Sequence, residues 1–304
     1  ISNKTKHFIL MSNHEIYERK GIILAGGNGS RLFPITKACS KQLLPVYDKP
    51  MIYYSLSTLM LAGIRKILII TTLEDKKKFK DLLGDGSQIG IELKYEQQEK
   101  PEGIGQAFII AEKFINNSPV CLILGDNIFY GQGLGTLLRN INRSPEPTIF
   151  AYRVSDPKRY GIVSFSENKE VLDIHEKPQY PKSNYAITGL YFYDSTVVDK
   201  SKKIKPSKRG ELEISDINLL YLKEKKLKVE LFGRGMAWLD TGTIDSLHEA
   251  SSFIKTLENR QGIKISCPEE IAWRNGWIND EKLINSANKL IKSGYGNYLL
   301  SLLD

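Results

Sequence analysis

Short apolar runs alternate with amphipathic stretches over residues 20–154, and this alternation is the strongest pattern in the chain. Continuous apolar runs are typical of strands buried on both faces, whereas a 3.6-residue period predicts helices. The predicted strands are Lys20–Ala25, Ile67–Thr72, Ile91–Glu96, Val120–Leu124 and Thr148–Val154, and the predicted helices are Pro50–Ala62, Glu74–Leu83, Gln106–Ile115 and Leu134–Ile141. Strands separated by helices predict an α/β fold with a mostly parallel central sheet flanked by helices.

The pattern changes after about residue 160, where the predicted elements become shorter. The expected elements are strands at Ile162–Ser166, Val171–His175, Tyr185–Tyr193 and Lys228–Phe232, and helices at Glu213–Lys223 and Ile244–Glu258. From Pro268 onward the pattern is helical, most clearly over Glu281–Lys292. We therefore expect one α/β domain of residues 20–260, a C-terminal helical appendage of residues 261–304, and an N-terminal extension of residues 1–19 whose role is open.

The composition is that of an ordinary globular protein, with 41% hydrophobic and 26% charged residues in a chain of 304. It contains no run of about eighteen apolar residues that could span a bilayer, and its first twenty residues lack the features of a signal peptide. The three cysteines are far apart without a CxxC spacing, which argues against a disulfide framework or a zinc site. We expect a cytoplasmic protein that does not bind membranes.

A surplus of positive charge, 43 Lys and Arg against 35 Asp and Glu, points to an anionic partner without identifying it. Nucleic acid, an acidic membrane and small phosphorylated ligands are all compatible with this surplus. The most basic segment, Lys200–Arg209, lacks the interleaved aromatic residues of many nucleic-acid sites. We therefore interpret it as a solvated loop and expect no nucleic-acid partner.

A glycine-rich segment directly after the first strand is the clearest candidate for phosphate binding. Gly26, Gly27 and Gly29 allow the backbone to bend and to present its N–H groups to an anion, and Arg31 and Lys41 add positive charge. The segment contains no Gly-Lys-Ser/Thr of a P-loop, and a leucine occupies the third glycine position of the dinucleotide fingerprint. It therefore belongs to neither of these two phosphate loops.

The same segment reads GxGxRLxPxT followed by KxxLP, and it resembles the signature of the sugar-1-phosphate nucleotidylyltransferase family. Further segments are similar to the members that make dTDP-glucose and pyrophosphate from dTTP and glucose 1-phosphate; these are Ser40–Ile64, Leu124–Gly131, Glu176–Pro178, Thr188–Asp194, Lys208–Asn218 and Trp238–Thr243. The resemblance implies a Rossmann-like sheet, with a nucleotide half of about residues 20–155 and a smaller sugar-binding β region of about residues 156–260. It also implies a homotetramer, Mg²⁺ as cofactor, and the first step of dTDP-rhamnose and related deoxysugar synthesis.

The resemblance further implies the roles of individual residues. Catalytic roles fall to Arg31, Lys41 and Lys177, and Mg²⁺ ligation to Asp126 and Asp240. The implied nucleotide-binding residues are Leu24, Gly26, Gly27, Gly29, Ser30, Gln42, Gln98, Pro101, Gly103 and Asn127. The implied sugar-phosphate residues are Tyr160, Gly161, Glu176, Lys177, Ile187, Gly189 and Tyr191.

General chemistry is consistent with these roles. Mg²⁺ prefers one or two carboxylates together with substrate phosphates, and a glutamine amide offers the donor and acceptor that a pyrimidine edge requires. Glu176 and Lys177 are adjacent, so they share one site only if a turn follows the strand, and Pro178 favours such a turn.

The expected reaction is in-line attack of the sugar phosphate on the α-phosphorus of dTTP, for which the protein supplies positioning and charge. Two alternatives stay open. The enzyme could use UTP or another sugar phosphate, although KQLLP at residues 41–45 favours dTTP over the KExLP of uridylyltransferases. The chain could also be a non-catalytic nucleotide-binding regulator on the same fold.

Overall fold

The computed structural model describes residues 18–27 and 29–304, so most of the expected N-terminal extension lies outside the described residues. The strands are β1 Lys20–Ala25, β2 Pro45–Val46, β3 Lys49–Pro50, β4 Lys66–Thr71, β5 Glu92–Gln97, β6 Val120–Leu124, β7 Asn127–Tyr130, β8 Thr148–Arg153, β9 Gly161–Phe165, β10 Val171–Glu176, β11 Tyr185–Tyr193, β12 Lys228–Leu231 and β13 Ala237–Asp240. The helices are α1 Ile52–Leu61, α2 Lys76–Leu83, α3 Gln106–Ile110, α4 Glu112–Ile115, α5 Leu134–Asn142, α6 Val197–Lys203, α7 Ile214–Lys223, α8 Ile244–Gln261, α9 Pro268–Arg274, α10 Asp280–Lys289 and α11 Tyr295–Ser301.

The central sheet confirms the predicted α/β fold. Its main path runs β10-β9-β11-β6-β1-β4-β5, and β8 and β12 extend it from β11. Strands β6, β1, β4 and β5 pair in parallel, as their helical crossovers require, whereas β11 pairs antiparallel with β6, β8 and β9. The parallel strands β1, β4, β5 and β6 all lie within residues 20–155, and most of the shorter strands predicted after residue 160 lie in the antiparallel part.

Both faces of the sheet are covered by helices, which explains the continuous apolar runs. Successive residues of β1 point to opposite faces, so Ile23 packs with α1, α2 and α5 while Ile22 packs with α3, α6 and α7. The C-terminal helices α9–α11 contribute Ala272, Leu283 and Leu299 to the first of these two cores. The described helices include none that is both long and apolar enough to cross a membrane.

Several elements differ from the prediction. The helix expected over residues 106–115 is divided into α3 and α4 at Ala111. The short strands β2, β3, β7 and β13 were not predicted, because two- to four-residue strands leave almost no periodic signal. The helix α6 was also not predicted, because its lysine-rich end belongs to the segment that was interpreted as a loop. The two strands β7 and β13 pair antiparallel and place Asp240 opposite Asn127.

Arg19 directly precedes β1 and lies at the edge of the sheet where β6 begins and β11 ends. Its guanidinium donates to the backbone oxygens of Val120 (3.0 Å), Tyr193 (2.7 Å) and Ser144 (2.6 Å), and only 3% of the residue is exposed. Burial lowers the pKa of Arg19 to about 10, which leaves it charged at neutral pH. The last residue of the expected extension is therefore packed into the domain.

We predict that Arg19→Met destabilises the protein by about 3 kcal/mol, because methionine fills much of the space but leaves buried carbonyl oxygens without a donor. Urea unfolding followed by circular dichroism measures this change. Lys66→Met is the control, since Lys66 forms an exposed ion pair with Glu18, and it should leave the unfolding midpoint nearly unchanged. Equal midpoints for Arg19→Met and the wild type would contradict the prediction.

Candidate active site

The glycine segment forms a compact turn after β1. Gly29 has φ +59°, in the left-handed region that favours glycine, and its carbonyl oxygen accepts a hydrogen bond from Thr36 Oγ1 at 2.7 Å. A 3₁₀ turn over Ser30–Leu32 follows and buries Leu32 while Arg31 stays exposed. This arrangement anchors the turn by an apolar residue and directs Arg31 into the cleft described below.

Two carboxylates meet where β6 ends. Asp126 lies two residues after the end of β6, and the pairing of β13 with β7 brings Asp240 beside it. Thr241 fixes the backbone of Asp126, because its N–H (3.1 Å) and Oγ1 (2.8 Å) both donate to the Asp126 carbonyl oxygen. The short ribbon of β7 and β13 therefore joins two distant parts of the sequence in one acidic site.

Asn127 holds this site together through its side-chain amide. Its Oδ1 accepts from Trp238 Nε1 (2.6 Å) on β13 and from the Gly189 N–H (3.0 Å) on β11. Its Nδ2 donates to Asp126 Oδ1 at 2.9 Å. One amide thus connects β7, β13 and β11 and orients the first carboxylate.

The electrostatics of the two carboxylates differ. Burial, and then the negative charge of Asp126, raise the pKa of Asp240 above its ordinary value. Burial alone would also raise the pKa of Asp126, but its ion pair with Lys41 holds that pKa below the ordinary value. Arg159 Nη2 lies 3.9 Å from Asp240 Oδ2. Asp126 is therefore closely paired, whereas Asp240 has only a distant cation, and a bound cation would offset the repulsion between the two carboxylates.

This donor set fits a divalent cation of the magnesium type. The described residues contain no cluster of three or more His, Cys, Asp or Glu side chains placed to bind a metal. Two carboxylates without further protein ligands are what Mg²⁺ takes when substrate phosphates and water complete its coordination.

A cleft of about 180 Å³ lies beside the carboxylates and faces the antiparallel half of the sheet. Arg31, Asn127 and both aspartates line it. All seven predicted sugar-phosphate residues line it as well, namely Tyr160, Gly161, Glu176, Lys177, Ile187, Gly189 and Tyr191. Burial raises the pKa of Tyr191 well above its ordinary value, so its hydroxyl stays protonated.

The adjacent residues Glu176 and Lys177 both line this cleft. Strand β10 ends at Glu176, and Lys177 has φ +42°, so the backbone turns immediately after the strand. The Lys177 N–H donates to the Tyr160 carbonyl oxygen at 3.1 Å, and its Nζ lies 3.8 Å from Glu176 Oε1. The turn expected near Pro178 is therefore present one residue earlier.

The remaining predicted nucleotide residues lie outside this cleft, around the ends of β1 and β5. Gln42 is buried, and its Oε1 accepts from Ser40 Oγ at 2.6 Å. Gln98 is also buried; its Nε2 donates to Gln106 Oε1 at 2.6 Å, and its Oε1 lies against Gly26. The others are Leu24 at the end of β1, the exposed Gly27, Ser30 and Pro101, and Gly103.

Gly103 packs closely against Leu212, which is distant from it in sequence. It has φ +100°, and a Cβ there would lie 2.6 Å from the backbone of Leu212. Leu212 forms two backbone hydrogen bonds with this loop, donating to Glu102 (2.7 Å) and accepting from Gly105 (2.9 Å).

The interpretation of Lys200–Arg209 as a solvated loop was wrong at its start and holds only in part at its end, where Arg209 is exposed but paired. Lys200 lies in α6, is buried, and forms an ion pair with Glu224. Arg209 lines the cleft and pairs with Glu213. Charge composition alone does not distinguish a solvated lysine from one held by a partner distant in sequence.

Other cleft residues were not predicted as site residues. They are Ile104, Leu124, Arg159, Glu211, Glu213, Ile214, Ser215 and Trp238. The segments around Glu213 and around Trp238 are among those that resemble the family. For Glu213 and Trp238, this resemblance was the sequence signal that could have identified them as site residues.

Comparisons with known proteins agree with this geometry. The family described as "Nucleotidyl transferase" matches residues 20–256. The chain is 60% identical to a glucose-1-phosphate thymidylyltransferase of Neisseria meningitidis over 285 residues, covering 93% of this chain and 99% of that protein. It is 56% identical to the enzyme of that name from Mycobacterium tuberculosis, covering 94% and 99%.

Solved structures give the same result. A Bacillus anthracis protein described as a glucose-1-phosphate thymidylyltransferase, in complex with a sucrose, is 42% identical with a TM-score of 0.71, covering 77% of this chain and 94% of that one. A UDP-glucose pyrophosphorylase complexed with UDP-glucose is 26% identical with a TM-score of 0.68, covering 79% and 99%. The chain therefore belongs to the nucleotidyl transferase family, and within it to the glucose-1-phosphate thymidylyltransferases.

Proposed function

We propose that this enzyme makes dTDP-glucose and pyrophosphate from dTTP and glucose 1-phosphate. The observation that carries the proposal is the position of the Asp126–Asp240 pair, between the basic glycine turn and a cleft lined by Glu176 and Lys177. The high identity to enzymes of that name over nearly their whole length supports the choice of substrates.

In the proposed reaction, a phosphate oxygen of glucose 1-phosphate attacks the α-phosphorus of dTTP. A new P–O bond forms as the bond to the β-phosphate bridging oxygen breaks, and the electron pair leaves with pyrophosphate. Lys177 orients the attacking phosphate while Glu176 accepts hydrogen bonds from sugar hydroxyls. Arg31 and Lys41 offset charge on the triphosphate, so the protein supplies position and electrostatics without a covalent intermediate.

We propose Mg²⁺ as the cofactor, with Asp126 and Asp240 as its protein ligands. When bound, the ion supplies positive charge to the phosphate oxygens. Asn127 and Thr241 keep the first carboxylate in place through the hydrogen bonds described above.

Base recognition is assigned to Gln42, Gln98 and the backbone at Gly103, and of these Gln98 lies against Gly26 of the glycine turn. The thymine methyl is a small feature, worth only about 1–3 kcal/mol in an apolar pocket. UTP is therefore the competing nucleotide, in agreement with the similarity to a UDP-glucose pyrophosphorylase.

The resemblance supports several finer proposals. We propose that the enzyme is a cytoplasmic homotetramer that performs the first step of dTDP-rhamnose and related deoxysugar synthesis. We further propose a nucleotide half of residues 20–155, a sugar-phosphate half of residues 156–260 and a helical appendage of residues 261–304.

The nucleotide preference tests the proposed function directly. Pyrophosphate release is measured with dTTP, UTP, ATP, CTP or GTP, each with glucose 1-phosphate and Mg²⁺. We predict the highest kcat/KM with dTTP and a value for UTP lower by roughly tenfold to a hundredfold, because the two nucleotides differ only in the 5-methyl group of the base and the 2′-hydroxyl of the sugar. A clear preference for UTP would favour the uridylyl alternative, and no release with any nucleotide would favour the non-catalytic regulator.

A second prediction concerns charge stabilisation. Arg31→Ala and Asp126→Ala should each lower kcat/KM for dTTP by at least about a hundredfold, the usual effect of removing a group that stabilises developing charge. Lys37→Ala is the matched control, because Lys37 is an exposed cation in the next 3₁₀ turn that does not line the cleft. Turnover near the wild-type rate in either active-site variant would contradict the mechanism.

A further inference from the structure

The N-terminal turn of α7 brings a buried carboxylate against the cleft. Glu213, the residue before α7, is only 7% exposed. Its Oε1 and Oε2 each accept from Arg209 Nη2 at 2.8 Å, and Oε1 also accepts from Arg209 Nε at 3.2 Å. A carboxylate this deeply buried is stable only when it is paired, and the guanidinium of Arg209 provides that pairing.

Two further carboxylates lie close to Arg209. Arg209 Nη2 is 3.2 Å from Glu211 Oε2 and 3.6 Å from Glu176 Oε1, both farther than its 2.8 Å contacts with Glu213. Glu176 is held from the other side by Ser215, whose Oγ donates to Oε2 at 2.5 Å. Three carboxylates therefore compete for one guanidinium, and Glu213 holds it most closely.

The segment that carries Arg209 is fixed at both ends. Ser207 Oγ donates to Glu213 Oε1 at 2.7 Å, which closes the segment on itself. Leu212 is joined to the nucleotide loop by its backbone hydrogen bonds to Glu102 and Gly105. Because the residue just before Glu213 is anchored, the carboxylate has a defined position from which to orient Arg209.

We propose that Glu213 is a positioning residue for the sugar phosphate, acting through Arg209. By holding the guanidinium on the cleft wall, it keeps Arg209 directed toward the phosphate and leaves Glu176 available for sugar hydroxyls. Without the Glu213 charge, Arg209 shifts onto the two remaining carboxylates, Glu211 and Glu176, and away from the phosphate. This inference rests on the proposed function, because it takes glucose 1-phosphate as the ligand of the cleft.

Steady-state kinetics of pyrophosphate release test the proposal, with each substrate varied at saturation of the other. Glu213→Gln keeps the size of the side chain and removes its charge. We expect the KM for glucose 1-phosphate to rise roughly tenfold, the effect of one lost charge-assisted hydrogen bond, while the KM for dTTP changes less than about twofold. Glu213→Asp, which keeps the charge, should recover most of the affinity.

Glu224→Gln is the matched control, because Glu224 caps the opposite end of α7 and pairs with Lys200 away from the cleft. It should leave both KM values at the wild-type level. Thermal unfolding of every variant separates a loss of positioning from a loss of folded protein. If Glu213→Gln unfolds, Glu213→Asp is compared instead; because its shorter side chain reaches Arg209 less well, it should raise the KM for glucose 1-phosphate by only about twofold to threefold and leave the KM for dTTP at the wild-type level.

A double-mutant cycle with Arg209→Met identifies the route of the effect. If Glu213 acts through Arg209, the double variant binds glucose 1-phosphate no more weakly than Arg209→Met alone. Additive effects, or equal increases in the KM of both substrates, would overturn the proposal. A wild-type protein without activity on dTTP and glucose 1-phosphate would instead overturn the proposed function, and this inference with it.

Discussion

The side-chain amide of Asn127 is the contact on which the rest of the site depends. It accepts hydrogen bonds from Trp238 on β13 and from the backbone of Gly189 on β11, and it donates to Asp126. Two carboxylates placed side by side repel each other, and burial increases the cost of their charge. The connections made by Asn127 and Thr241 hold the pair in place despite this repulsion, and Lys41 neutralises one of its charges.

The fold positions the basic and acidic groups of the site by different means. The parallel strand β1 delivers the glycine turn with Arg31, while the antiparallel part of the sheet delivers Glu176 and Lys177. The acidic pair lies between them at the end of β6. A nucleoside triphosphate and a sugar phosphate both carry negative charge, so a reaction between them requires cationic groups on either side of the reacting phosphorus. The distribution of charge in the cleft meets this requirement.

The sequence predicted the elements with a strong period and the residues with a recognisable motif. Strands such as Val120–Leu124 follow from continuous apolar runs, and Asp126 follows from the motif after that strand. The ribbon of β7 and β13 could not be predicted, since four-residue strands lack a period and their pairing depends on contacts distant in sequence. Lys200 was misinterpreted as a loop residue for a related reason, because its partner Glu224 is distant in sequence and meets it only once α6 and α7 have packed.

The dependence of turnover on Mg²⁺ concentration in Asp240→Asn tests most directly whether the two carboxylates act together. We expect Asp240→Asn to require at least about tenfold more Mg²⁺ than the wild type for its half-maximal rate, because an amide is a weaker ligand than a carboxylate. Asp245→Asn, which removes an exposed carboxylate at the start of α8, should behave like the wild type. An unchanged Mg²⁺ dependence in Asp240→Asn would contradict the account.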